Sequence, residues 1–183
     1  MSRVAIAGIR GSYSESAASD YFSGDLELIE CSTFEGVFGA LRTGIAKFAV
    51  IPVRNSTVGE IASTRSLMTK NRPDVVDHVV TKVDHVLAAV QGAEHDDVVS
   101  VRSHAEALLQ CSNFFAANPR LGKVTGFDTA SSVRSIVIAG LPQYAAVCSE
   151  RAAEIYGAEI LRRNIANKRS NATTFAVIRN RGE

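Results

Sequence analysis

This chain of 183 residues carries only three cysteines, Cys31, Cys111 and Cys148, an odd number without C-x-x-C spacing. That excludes a disulfide framework and a redox pair, and the expectation is reduced, buried thiols in a cytosolic protein. Its four histidines are scattered and show no paired ligand spacing, so no metal site is read. An excess of one charge is also missing. The 20 Lys and Arg stand against 19 Asp and Glu, and a net charge of +1 is too small to grip nucleic acid over a broad surface. Any anion the chain binds is expected to be small. No apolar run is long enough for a bilayer, and the first, Val4 to Ile9, is interrupted by Gly8 and followed at once by Arg10 and Gly11. Neither a signal peptide nor a membrane span is read. Repeats and low-complexity tracts are absent as well. What is present is 46% hydrophobic residues, enough for a large core without staples.

Those residues fall into short apolar runs that alternate with segments of helical period, the rhythm of an α/β protein. Strands are expected at Val4–Ala7, Leu26–Ile29, Phe48–Ile51, Val98–Val101, Lys123–Phe127, Ala145–Val147, Ile160–Asn164 and Phe175–Ile178. Helices are expected at Ser14–Phe22, Thr33–Leu41, Ile61–Met68, Ala105–Phe115, Thr129–Ile138 and Arg151–Tyr156, each opened by a residue that can cap it. Ser32 with Glu35 and Ser103 with Glu106 have the spacing of capping boxes. Val75–Val90, without Gly or Pro, reads as an extended crossing from one lobe to another, and Gln91–Asp97 as a solvated tip.

Four loops carry polar groups that a rigid sheet could aim. The first, Gly8-Ile9-Arg10-Gly11-Ser12-Tyr13-Ser14, has Ala17 where a third glycine of the dinucleotide fingerprint might sit and lacks the Gly-Lys-Ser/Thr ending of a phosphate loop. It is left as a tight turn presenting amides and hydroxyls. The second, Pro52-Val53-Arg54-Asn55-Ser56, follows a buried strand that Pro52 is expected to end. Ser103-His104 starts a helix after another strand, and Asn171-Ala172-Thr173-Thr174-Phe175 leads into the last one. Taken singly, each is also what an ordinary turn, an exposed first-turn His or a Thr-rich strand looks like.

Their order and spacing together resemble the catalytic domain of the prephenate dehydratase family, from Val4 nearly to the end. That family's G-x-x-G-[ST]-[FY]-S is matched at Gly8, Gly11, Ser12, Tyr13 and Ser14, and its P-[IV]-E-N-S at Pro52, Val53, Asn55 and Ser56. S-H-P-x-A-L-x-Q-C is matched at Ser103, His104, Ala107, Leu108, Gln110 and Cys111. A Thr-Ala pair opening a helix falls at Thr129 and Ala130, and A-A-x-x-Y-G at Ala152, Ala153, Tyr156 and Gly157. N-x-T-R-F is matched at Asn171, Thr173 and Phe175.

The resemblance implies an α/β protein with two lobes, like a type II periplasmic binding protein, with the site in the cleft between them. Residues 1–78 and 163–183 would form the first lobe and 79–162 the second, with no ACT regulatory domain. It implies removal of carbon dioxide and hydroxide from prephenate to give phenylpyruvate, with no cofactor and no metal, by a cytoplasmic homodimer. Its partner would be a small dianionic substrate, neither nucleic acid nor membrane. Catalytic roles would fall on Thr173, the proposed acid, with Ser103 and Asn171. Ser12, Tyr13, Ser14, Arg54, Asn55, Ser56, His104, Thr129, Ala130, Thr174 and Phe175 would bind substrate, their loops facing one another.

Two positions depart from the family pattern: Arg54 stands where the family has Glu, and Thr174 where it has Arg. A lost guanidinium removes a bidentate carboxylate partner worth on the order of 1.5–3 kcal/mol. The paired departure leads to the expectation that Arg54 has become the carboxylate anchor in place of residue 174. Two alternatives stay open here: a prephenate-utilising enzyme of specialised metabolism such as a non-aromatising decarboxylase, and a non-catalytic module that binds small anions on the same scaffold.

Overall fold

The computed structural model describes residues 2–24 and 26–182. The chain divides into two compact units. The first runs through Ile9, continues over Tyr13–Val83 and resumes at Ser170; the second comprises Arg10–Ser12 and Asp84–Arg169. The breaks at 83/84 and 169/170 lie a few residues beyond those expected from the sequence.

The first unit opens with β1 (Ser2–Ala7), α1 (Tyr13–Tyr21), β2 (Leu26–Cys31), α2 (Phe34–Arg42), β3 (Phe48–Asn55), β4 (Gly59–Glu60), α3 (Ala62–Asn71) and β5 (Asp74–Lys82). The second contains β6 (Val86–Ala89), β7 (Ser100–Ser103), α4 (Ala105–Gln110), α5 (Ser112–Ala117), β8 (Gly122–Thr125), α6 (Thr129–Ala139), β9 (Tyr144–Cys148), α7 (Glu150–Tyr156) and β10 (Glu159–Arg162). The chain then returns to the first unit as β11 (Ala172–Arg179). Each unit is therefore an α/β layer structure around its own mixed sheet, ordered β2-β1-β3-β11-β5 in the first and β10-β6-β9-β7-β8 in the second. Among the described residues no helix is long and apolar enough to cross a membrane.

The first sheet is covered on both faces, which is why its central strands read as continuous apolar runs. Val4, Ile6, Val50, Phe175 and Val177 pack with Ala17 and Ala18 of α1, while Ala5, Ala49, Ile51, Ala176 and Ile178 pack with Val37, Phe38 and Leu41 of α2. The two-residue alternation of β11 therefore sends 173, 175 and 177 toward α1 and 174, 176 and 178 toward α2. Leu87, Val98, Val101, Leu108, Phe115 and Val147 build the second unit's separate core.

Several local expectations change. Val75–Val90 is not one extended crossing: β5 forms the edge of the first sheet and β6 lies inside the second, with all four residues of β6 buried. The helix expected over Ala105–Phe115 breaks at Cys111, where Asn167 bonds both sides of the break through Gln110 O, Ser112 Oγ and the Asn113 amide. Thr33, not Ser32, caps α2 by accepting from the Gly36 amide, and His104, not Ser103, caps α4 through Nδ1. Asp128 and Ser131 form a capping box at the start of α6.

All three cysteines are free. Burial pushes the Cys111 and Cys148 thiols up to about 12 and raises that of Cys31. His85 is 2% exposed, and its Nε2 bonds Gln110 Oε1 at 2.9 Å. Burial holds its pKa below the usual histidine value, against smaller opposing contributions from Gln110 and the Asp84 charge. The unfolded chain takes up this proton near pH 6.5 and the folded chain resists it, so stability falls as pH drops through about 6.5. His85→Asn is expected to lose less Tm than the natural protein between pH 7.5 and 5.5 in a melting series.

Candidate active site

In the first unit, four of the sequence-selected residues converge where β3 ends and β11 begins. Asn55 pairs with Thr173 in the strand register, and both side chains are 8% exposed. The Asn55 amide donates to Thr173 Oγ1 at 2.9 Å and to Asn171 Oδ1 at 3.0 Å; Asn171 is 2% exposed. Asn55 Oδ1 in turn accepts from the Thr57 and Val58 amides, an Asx turn that fixes the side chain so that its NH2 must point at Thr173. Ser56 completes the cluster by accepting from the Ala172 amide at 3.0 Å and donating to Asn171 Oδ1 at 3.3 Å. Thr173 thus receives a hydrogen bond from a fixed amide, while its own hydroxyl proton is given to no described protein acceptor. A buried hydroxyl oriented in this way is equipped to donate to an oxygen brought beside it.

Tyr13 packs with Phe175 and Val79 on the same face of the sheet, and Ser14 is buried one residue further along α1. Phe175, expected as a substrate contact, is 2% exposed and belongs to that apolar cluster, so its ring serves the core.

Arg54 and Thr174 are not brought to this cluster. Pro52 does not end β3, which runs on to Asn55. The pairing skips from Phe175–Pro52 to Thr174–Arg54, leaving Val53 as an extra residue. This bulge stands beside a proline that has no N–H to give the ladder. It puts Arg54 and Thr174 opposite each other on the α2 face, with Arg54 exposed, while Asn55 and Thr173 occupy the α1 face. Glu60 lies across from Arg54 in β4, but its carboxylate bonds Arg65 at 2.9 Å.

The remaining selected residues lie in the second unit. Ser103 is fully buried and donates to the Val147 carbonyl at 2.7 Å, which pins β7 to β9 and uses its proton. His104 is exposed and occupied as the α4 cap. Thr129 and Ala130 form the first turn of the 11-residue helix α6, where free amides and the positive end of the helix dipole favour an anion, although Asp128 caps that turn. Ser12 is 6% exposed, and the adjacent Gly11 docks on α7: its carbonyl accepts from Ser149 Oγ at 3.1 Å, while Tyr156 donates to the Arg10 carbonyl at 2.7 Å. Nothing in the spacing of A-A-x-x-Y-G marks it as the seat of this glycine loop. Ala152 touches Gly11 and the Tyr156 hydroxyl holds Arg10.

The family profile for prephenate dehydratase matches residues 4–183. The chain belongs to the prephenate dehydratase family. Over 176 residues it is 35% identical to arogenate dehydratase/prephenate dehydratase 1, chloroplastic, of Arabidopsis thaliana, covering 96% of this chain and 44% of that protein. The chain thus spans less than half the length of that curated relative. The crystal structure of prephenate dehydratase in complex with L-Phe from Arthrobacter aurescens superposes with a TM-score of 0.89 at 24% identity, over 99% of this chain and 61% of that one. The periplasmic-binding-protein likeness extends to an ABC transporter periplasmic substrate-binding protein from Coxiella burnetii, with a TM-score of 0.50 at 11% identity over 98% of this chain and 84% of that one.

The departures from the prephenate dehydratase pattern at 54 and 174 thus fall on a single cross-strand pair. Arg54→Ala should leave the substrate KM within about threefold of the natural value, since an anchor contact would cost on the order of 10-fold or more.

Proposed function

We propose that this chain catalyses the decarboxylative dehydration of prephenate to phenylpyruvate, with Thr173 as hydrogen-bond donor to the departing hydroxyl. The observation that carries the reading is the buried Thr173 hydroxyl, held by the Asn55 amide that also bonds Asn171, with its own proton uncommitted. Membership of the prephenate dehydratase family supplies the reaction class. In that reaction the bond to the ring carboxylate breaks, carbon dioxide leaves, and the electron pair enters the ring. The ring C–O bond breaks in concert, and the hydroxide departs as water once it has gained a proton. The developing aromatic ring accepts the electrons, so the proposal includes no cofactor and no metal. The protein's task is to hold a dianion and to stabilise charge on one oxygen, which positioning and a fixed donor can do.

Asn171 belongs to the reacting end of the proposed site, with Asn55 and Ser56. Tyr13 and Ser14 are the proposed substrate-binding residues beside them in the first unit; within the second unit that role is proposed for Ser12, His104 and the amides of Thr129 and Ala130. A homodimer acting in the cytoplasm completes the proposal; sedimentation at micromolar concentration tests the first part.

The decisive experiment is incubation of the purified chain with prephenate, followed by proton NMR. Aromatic phenylpyruvate signals are expected; a product that keeps its ring hydroxyl, or none at all, overturns the assignment. Since the Arabidopsis relative is named for arogenate as well as prephenate, arogenate belongs in the same assay as a second substrate.

A further inference from the structure

Strand register places a third side chain in the row that holds Asn55 and Thr173. Thr173 pairs with Asn55 of β3 on one side and with Thr81 of β5 on the other. Paired residues share a face, so Asn55, Thr173 and Thr81 form one cross-strand row on the α1 side. It lies next to the apolar row of Pro52, Phe175 and Val79. Thr81 is 8% exposed, as Asn55 and Thr173 are. Unlike their side-chain polar groups, its buried hydroxyl has no hydrogen-bond partner. An orphaned buried hydroxyl costs stability, and Val in its place would fill the same space in an edge strand without that cost.

We infer that Thr81 is a second hydroxyl of the reacting site, donating alongside Thr173 to the substrate oxygen that leaves. This inference rests on the function proposed above. Residues directly opposite on antiparallel strands hold their Cβ atoms about 4.5–5.5 Å apart. An oxygen lodged between two such hydroxyls can therefore sit about 2.7–2.8 Å from each, the ordinary O–H···O distance. The two hydroxyls differ in state: Thr173 is already polarised by the Asn55 amide, whereas Thr81 is bonded to nothing and gains its partner only when substrate arrives. A donor satisfied only in the complex, and most strongly as negative charge grows on the oxygen, favours the transition state over free enzyme. No charged group enters the row, so the departing oxygen meets neutral donors only.

The experiment compares Thr81→Val and Thr81→Ser with the natural chain in two measurements: the phenylpyruvate formation rate, and Tm with and without prephenate. For Thr81→Val the expectation is a kcat about tenfold lower, with a Tm of the free protein equal to or above the natural one. The Tm gain on adding prephenate should also be smaller. Thr81→Ser, which keeps the hydroxyl, should recover most of the rate. Unchanged kcat and unchanged prephenate protection in Thr81→Val overturn the inference and leave the proposed function standing. A Tm that falls together with the rate also overturns it, because the hydroxyl would then be holding the fold. A natural chain with neither turnover nor a prephenate-dependent Tm shift overturns the proposed function and this inference together.

Discussion

Thr173→Ala is expected to lower kcat for phenylpyruvate formation by about 10²–10⁴-fold, the usual contribution of a positioned proton donor, with a smaller change in KM. The side chain has little structural work to lose. It accepts one hydrogen bond from Asn55, and that amide keeps Asn171 Oδ1 and the Ala172 carbonyl as partners when the hydroxyl is gone. Stability should therefore change by roughly 1 kcal/mol or less, so the loss of rate will not be a loss of fold. Thr173→Ser should retain more activity than Thr173→Ala because the donor survives, and Thr173→Val should resemble the alanine variant despite its matching shape. Asn55→Asp offers a second route to the same point. A carboxylate has no proton to give Thr173 or Asn171, so the hydroxyl loses its orientation, and kcat should fall without any change at residue 173. A Thr173→Ala enzyme with full turnover, measured by the ultraviolet absorbance of phenylpyruvate, would remove Thr173 from the mechanism.

Gly11→Ala should lower stability by about 2–5 kcal/mol, or Tm by roughly 5–15 °C. Two costs add. Gly11 has φ +89°, a conformation that side-chain-bearing residues adopt only with strain. A Cβ there would also stand 3.0 Å from the Ala152 Cα and 3.1 Å from its Cβ, and neither can move without shifting α7. Both hydrogen bonds that seat the loop, from Ser149 and Tyr156, would be displaced with it. Gly39→Ala is the control: within α2, at negative φ and with nothing within 4 Å of a new Cβ, it should be neutral or stabilising by up to about 1 kcal/mol. Differential scanning calorimetry of the two variants decides it; equal melting temperatures would show that Gly11 is not the tight contact described.

The α/β alternation was legible in the sequence because two-residue and 3.6-residue periods are local. Val4–Ala7, Phe48–Ile51 and Phe175–Ile178 are central strands wherever the rest of the chain goes, since each is apolar on both faces. The polar loops after β1 and β3 and before β11 were legible as places where chemistry can sit, and their order as that of one family. Caps were legible only to within a residue. Ser32 and Thr33 offer equivalent oxygens, and the folded backbone, with the helix starting at Phe34, makes Thr33 the cap. The break at Cys111 was not legible, because the groups that satisfy it belong to Asn167, far along the chain.

The candidate site shows the same division more sharply. That Asn55, Asn171 and Thr173 are chemically useful could be read from their types. Counting by twos from Val50 through Pro52, however, lands on Arg54, and would have set that guanidinium beside Thr173. The extra residue at Val53 reverses the parity, so Asn55 arrives at Thr173 and Arg54 goes to the other face. Likewise nothing in Val79-Val80-Thr81-Lys82 marks Thr81 as more than a strand residue until pairing with β11 sets it in the row. Alternation along a strand tells which residues share a face only as far as the next bulge, and the face of the residues beyond it is decided by the bulge and the partner's register. Those arise from contacts between segments more than a hundred residues apart in the case of β3 and β11, and only the folded sheet decides them.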